Sequence, residues 1–285
     1  VIISVASGKG GAGKTTVAAS LAWVWDRPLT VVDLDVEEPN LHLFLNPELG
    51  PSESATLEVP VLDKEKCTGC GACAEFCHYG AVALLGGRAH VFPEMCHGCG
   101  GCLALCPEGA LTPGGRVLGE VLRGRAGRAE FLMGRLRVGE AMSPPLMRAV
   151  KARLSGRDPR GDVLVDSPPG VSCPAVTAVS GSDAVLLVTE PTPFGLHDFR
   201  LAVEAFSPLG PPLAAVINRA VDLDATARDF CRERGVPVLA EIPYSRDIAE
   251  GYARGRVVAG LSPELTAAFA ALRDGLRALV EARHA

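Results

Sequence analysis

The sequence predicts an α/β fold with a mostly parallel sheet at its core, interrupted by a smaller cysteine-rich insert. Short apolar runs, VIISVA at the start and then LTVVDLD, DVLVD, DAVLLVTE, PLAAVIN and PVLAEI, alternate with helix-length segments. Unbroken apolar runs of this length suit strands buried on both faces of a parallel sheet, with crossover helices covering those faces. The rhythm stops after about Phe44 and resumes near Val117, and the interval is rich in Cys, Gly and Pro with no long helical period. Such a break is expected of a compact module whose neighbouring ends let it be spliced into a host loop.

Residues 1–58 and 115–285 are therefore assigned to the core and 59–114 to the insert. Val117–Val138 alternates loosely and predicts a hairpin returning to the core, followed by a helix from Pro144. Pro263–Val280 sets Leu265, Phe269, Leu272, Leu276 and Leu279 at helical spacing, a packing stripe. A membrane-binding helix would need a more basic polar face.

With 285 residues, 48% of them hydrophobic, the chain has enough apolar mass for a large core. Lys+Arg 28 against Asp+Glu 33 gives a net charge of -5, which argues against a nucleic-acid-binding surface. No apolar run approaches the ~18 residues of a membrane span. The opening VIISVASGKGG lacks the charged start and cleavage site of a signal peptide, so a cytoplasmic location is expected.

Gly8–Thr15 reads GKGGAGKT, the pattern G-x-x-x-x-G-K-S/T, placed after a strand and at the start of a helix. The loop Gly8, Lys9, Gly10, Gly11, Ala12, Gly13, with Lys14, Thr15 and Thr16 behind it, offers backbone N–H groups to phosphates without Cβ obstruction. Lys14 would neutralise the outer phosphates and the Thr15 hydroxyl would ligate Mg²⁺. Asp33 and Asp35 follow the second strand and Asp166 ends a later one, at the strand ends where open α/β sheets bind ligands. Together they form a consistent phosphoryl-transfer site, built on positioning and charge neutralisation.

The run SGKGGAGKTT, with its extra Lys9, resembles the deviant P-loop of the MinD/ParA/Mrp superfamily, which includes the nitrogenase iron protein; the resemblance covers most of the chain outside the insert. It implies an ATPase that dimerises with itself on ATP, Lys9 reaching the partner's phosphates. It also implies Asp33 and Asp166 in the Mg²⁺ shell, Asp35 in a first switch orienting the attacking water, and Ser167–Gly170 as a second switch. Asn218 in AAVINRA and Pro243 and Tyr244 in IPYS resemble the adenine-contacting positions, although an Asn at a strand end also serves as a turn former.

Cys67, Cys70, Cys73 and Cys77 form C-x2-C-x2-C-x3-C, and Cys96, Cys99, Cys102 and Cys106 repeat it, with Pro107 after the last. This resembles the α+β domain of bacterial two-cluster ferredoxins, in which the fourth cysteine of each run ligates the other cluster. The resemblance implies one 4Fe-4S cluster on Cys67, Cys70, Cys73 and Cys106 and a second on Cys77, Cys96, Cys99 and Cys102. C-x2-C pairs also make zinc sites, but duplicated runs of this length exceed what zinc requires. His78 stands where the first run would often have Pro; it and His97 are surface histidines or cluster-tuning ones. Cys173, seven residues after Asp166, is either a further thiol ligand, as at this offset in the nitrogenase iron protein, or a small buried residue. The second cysteine that such a bridging cluster needs is absent from GRLRVGEAMSPP, and Cys231 reads as core.

The expected protein thus uses ATP, Mg²⁺ and two 4Fe-4S clusters. ATP-gated electron transfer to a redox partner is the leading expectation. Delivery of a cluster or metal to an apo-protein is the alternative, and ParA-like positioning a weaker one.

Overall fold

The computed structural model describes residues 1–156, 161–220 and 225–284. It forms two compact units, one of Val1–Ser52, Val121–Arg135 and Met147–Ala285, the other of Glu53–Glu120 and Leu136–Leu146. The insert boundaries of 59 and 114 lie inside the first segment of the second unit.

In chain order the first elements are β1 (Ile2–Ala6), α1 (Lys14–Val24), β2 (Leu29–Asp33), α2 (Leu41–Leu45), β3 (Glu48–Leu49) and β4 (Glu53–Leu62). The cysteine region holds α3 (Ala72–Phe76), β5 (Val82–Leu85), β6 (Arg88–Val91) and α4 (Gly101–Leu105). Then come β7 (Leu111–Ala126), β8 (Ala129–Leu136), α5 (Ser143–Ala152), β9 (Asp162–Asp166), α6 (Cys173–Val179) and β10 (Ala184–Thr189). The chain closes with α7 (Pro193–Phe206), β11 (Leu213–Ala220), α8 (Thr226–Arg234), β12 (Val238–Pro243), α9 (Arg246–Ala253) and α10 (Pro263–His284).

The sheet of the first unit runs β12-β11-β10-β1-β9-β2-β8-β7-β3. Its six apolar-run strands are parallel to one another and β8 joins them parallel to β2, while β3 pairs antiparallel with β7. The hairpin predicted over Val117–Val138 is β7–β8, and the helix expected from Pro144 is α5. β9 and β10 are buried at every residue, which is why their sequences show no alternation.

Two apolar layers cover the sheet. One packs Val17 and Leu21 of α1 and Phe269, Leu272 and Leu276 of α10 against Val5, Val31 and Leu164. The other packs Phe199, Phe206 and Phe230 against Val185 and Leu187. Each large side chain so buried contributes about 1.5–3 kcal/mol. Cys231 belongs to this second layer, and burial pushes its thiol up to about 11. No helix among the described residues is long and apolar enough to cross a membrane.

In the second unit β4 pairs with β7, and β5 and β6 form a separate antiparallel hairpin. Its apolar core is small: Cys73, Cys102, Val82, Ala89 and Leu111 in one group, and Val59, Ala81 and Cys96 in another. The cysteines make up much of what is buried.

Candidate functional site

Because the strands are parallel, their carboxyl ends share one edge of the first unit. That edge gathers the loop after β1, Asp33 at the end of β2, Asp166 at the end of β9, Glu190 after β10, and Asn218 and Pro243 on β11 and β12. The loop turns into α1 through Gly13, which caps the helix with φ 100. A Cβ at Gly13 would stand 2.2 Å from Asn218 Nδ2, so glycine is required by both conformation and space. Lys14, at the first helical position, is buried.

The three predicted carboxylates divide in role. Asp33 is fully buried and uses its oxygens on backbone: Oδ1 accepts from Asp35 N at 3.1 Å and Oδ2 from Leu41 N at 3.0 Å. Burial, and then the neighbouring Asp166, raise its carboxyl well above the usual carboxylate range. Asp166 is paired in register with Asp33 and is 1% exposed. Both of its oxygens are buried without a hydrogen-bond partner. Burial pushes its carboxyl up to about 6, although Lys14 and the Thr15 hydroxyl lie close enough to oppose the shift. Asp35 is likewise raised to about 6 by burial, again against Lys14. Orphaned carboxylate oxygens beside a lysine and a threonine hydroxyl are the donor set that Mg²⁺ takes, two hard oxygen types at a phosphate site.

Lys9 does not project freely. Its ammonium is ion-paired with Glu190, whose other oxygen lies 2.7 Å from Arg219 Nη1. Burial would raise the Glu190 carboxyl, but Lys9 and Arg219 hold it below its ordinary value. Arg219 adopts the left-handed region with φ 54, an arrangement that costs a non-glycine residue about 1 kcal/mol or more. Sequence reasoning singled out neither Glu190 nor Arg219. The signal was available, because Glu190 ends the apolar run DAVLLVTE just as Asp33 and Asp166 end theirs.

Asn218 is 8% exposed and donates from Nδ2 to Ala12 O at 2.9 Å, holding the loop. Pro243 pairs in register with Ala220, and Tyr244, 68% exposed, donates its backbone N–H to Ala220 O. Asn218→Ala should weaken ATP and GTP binding together by roughly 3- to 10-fold, the worth of one tethering hydrogen bond. Titration calorimetry with both nucleotides checks this; a loss confined to ATP would return Asn218 to base recognition.

Within the second unit the cysteines sort into two recesses. One is lined by Cys67, Cys70, Cys73 and Cys106, the other by Cys77, Cys96, Cys99 and Cys102. Each recess draws three thiols from one run and one from the other, so the chain crosses between them. Backbone N–H groups already point at sulfur: Gly98 N donates to Cys96 Sγ at 3.4 Å and Ala110 N to Cys106 Sγ at 3.3 Å. A Cβ at Gly69 would meet Gly87 O at 1.9 Å, so the turn between Cys67 and Cys70 closes only around glycine. Among the described residues no three His, Cys, Asp or Glu side chains converge as for a single ion. The fit to a cluster rests on four thiols around each recess and on N–H groups aimed at sulfur. His97 lines the second recess and stacks on Tyr79 at 3.6 Å.

Cys173 is exposed, at the first position of α6. The reading of Cys173 as a small buried residue is therefore corrected: α6 turns Ala175, Ala178 and Val179 inward and leaves its first residue outside.

A parallel sheet with a glycine loop between its first strand and helix, and acidic residues on adjacent strand ends, defines a P-loop nucleotide-binding protein. The profile of the CobQ/CobB/MinD/ParA nucleotide-binding domain matches residues 3–258, and the chain belongs to that family. An uncharacterized protein of Methanocaldococcus jannaschii is 27% identical over 259 residues, 90% of each chain. A second from the same organism is 32% identical over 212 residues, 72% of this chain and 73% of its own length. Among solved structures, the septum site-determining protein MinD of Pyrococcus horikoshii, complexed with Mg-ADP, has a TM-score of 0.60 at 22% identity, covering 96% of this chain and 95% of that one. MinD of Pyrococcus furiosus gives 0.59 at 24% identity over 98% of both chains. Apo McdA of Cyanothece gives 0.56 at 16% identity, over 96% and 98%. At these identities the likeness establishes the fold.

Proposed function

We propose that this chain is an ATP-hydrolysing switch that carries two 4Fe-4S clusters and couples the nucleotide state of a homodimer to electron transfer. The observation that carries the reading is the presence in one chain of an orphaned acidic phosphate site and two crossed four-cysteine recesses. In the nucleotide site the loop from Gly8 to Gly13 cradles the phosphates, Lys14 neutralises them, and Thr15 and Asp166 hold Mg²⁺. Asp33 braces the backbone that leads into Asp35, and Asp35 orients water. Tyr244 and Pro243 flank the base. When bound, Mg²⁺ supplies charge neutralisation at the phosphates and the clusters supply one-electron capacity.

Anaerobic purification, iron and sulfide counting, and electron paramagnetic resonance with and without ATP test the reading. The expected result is a cluster signal that changes on nucleotide binding and a chain that dimerises with ATP. An identical spectrum in both states, with no ATP-dependent reduction of any acceptor, would sink the coupling.

Exposed Cys173 favours a second reading, delivery of a cluster or metal to an apo-protein. Its test is transfer of labelled iron to an acceptor, and complete retention under ATP turnover removes it. The fold shared with MinD and McdA favours a positioning ATPase, which ATP-dependent co-sedimentation with DNA or liposomes would reveal.

A further inference from the structure

Arg116 is a buried cation in the second unit, 7% exposed, among groups that the nucleotide chemistry does not use. Its Nη1 donates to Glu94 O at 3.1 Å and its Nη2 to Cys96 O at 3.4 Å. Nη2 also approaches Met142 Sδ at 3.5 Å. Its counter-charge is Glu140, whose Oε2 lies 3.1 Å from Nη1 and whose side chain is 1% exposed. Glu140 faces the other way for its remaining bonds, Oε1 accepting from Ala141 N and Met142 N, both at 3.0 Å. Arg137 is a weaker second partner of Glu140 at 3.7 Å. The pair is thus a buried dipole with its positive end on the carbonyl of Cys96, which lines the second recess.

We infer that Arg116 is a positioning residue for the cluster held by Cys77, Cys96, Cys99 and Cys102, fixing the Cys96 turn and making that cluster easier to reduce than its neighbour. Reduction adds one negative charge to a cluster, and the nearest fixed charges and the hydrogen bonds around the sulfurs set how favourable that is. A desolvated guanidinium one bonded link from Cys96 is screened far less than a surface charge. Neither recess has a lysine or arginine in its lining, and each has one glutamate, Glu108 in the first and Glu58 in the second; the second is set apart by the buried Arg116 bonded to the Cys96 carbonyl. The two sites therefore differ in electrostatics although their cysteine spacing is the same.

The inference rests on the cluster reading, and the test separates the two. Full-length wild-type protein, Arg116→Gln, Arg116→Lys and Glu140→Gln are purified anaerobically, counted for iron and sulfide, and titrated with dithionite under electron paramagnetic resonance. Cys99→Ser assigns which reduction wave belongs to the second recess. Arg116→Gln should move that wave to more negative potential and Glu140→Gln should move it to more positive potential, with the other wave unmoved. Arg116→Lys, which keeps the charge, should stay nearer wild type than Arg116→Gln. A purely structural role would instead lower iron content in every variant without opposite shifts. Where Arg116→Gln does not fold, the positive shift in Glu140→Gln still decides the matter. Absence of iron and sulfide from the wild type would overturn the cluster reading itself. Full clusters whose waves do not move, or move in one direction in both variants, would overturn the role of Arg116 alone.

Discussion

Asp166→Asn is expected to raise the thermal stability of the nucleotide-free protein by a few degrees while cutting Mg²⁺-dependent ATP hydrolysis at least about 100-fold. The first effect follows from the two orphaned, buried oxygens. Burial lifts the Asp166 carboxyl from 3.8 to about 6, so the folded chain binds its proton more tightly than the unfolded chain does. Stability attached to this group is intact below about pH 4 and is lost as pH rises to about 6. A shift of this size corresponds to about 3 kcal/mol, and asparagine, carrying no charge, avoids it. The second effect follows because the same oxygens are the Mg²⁺ donors of the proposed site. Calorimetry between pH 4 and pH 8 should show the stability gap between variant and wild type opening with pH and closing in acid. A variant less stable than wild type at pH 7.5 without nucleotide would contradict this account.

Crossed ligation makes the second large prediction. Cys77→Ser should leave about four of about eight irons, and so should Cys99→Ser and the double variant Cys77→Ser/Cys99→Ser, because both thiols face one recess. Cys70→Ser/Cys77→Ser should lose nearly all iron, because these two face different recesses although they share one sequence run. Sequential ligation predicts the reverse outcome for the two double variants, so iron counts alone distinguish them. Each loss should also lower the unfolding temperature of the second unit. Its apolar core is small and partly made of the cysteines themselves, so ligation free energy is folding free energy there.

The strands of the first unit were legible because burial on both faces leaves an unmistakable apolar run, as in β9 and β10. Gly8–Thr15 was legible because a phosphate loop fixes residue type at Gly8, Gly13, Lys14 and Thr15 and places them between a strand and a helix. The limits of the second unit were not, since its closing segment, Leu136–Leu146, follows 15 residues that belong to the first unit. That segment is tied in by the Arg137 N–H on Leu118 O and by the contact of Glu140 with Arg116, long-range pairings without a local pattern. Glu190 escaped notice for a related reason: an acidic residue at a strand end acquires meaning only when Lys9 and Arg219, far away in sequence, are seen to meet on it. Cys173 read as a small buried residue more readily than as a thiol ligand, and its exposure was not legible because the face it takes depends on how α6 turns against the sheet.

The Lys9–Glu190–Arg219 arrangement changes what movement of Lys9 would entail. A lysine leaving a buried carboxylate normally abandons a bare charge, a loss of about 3–5 kcal/mol when nothing replaces it. Here Arg219 stays behind on the opposite oxygen, so Glu190 keeps a counter-ion after Lys9 departs. In the proposed nucleotide switch, Lys9 would exchange carboxylate for phosphate without leaving Glu190 uncompensated. The strained backbone of Arg219 holds that second cation in waiting.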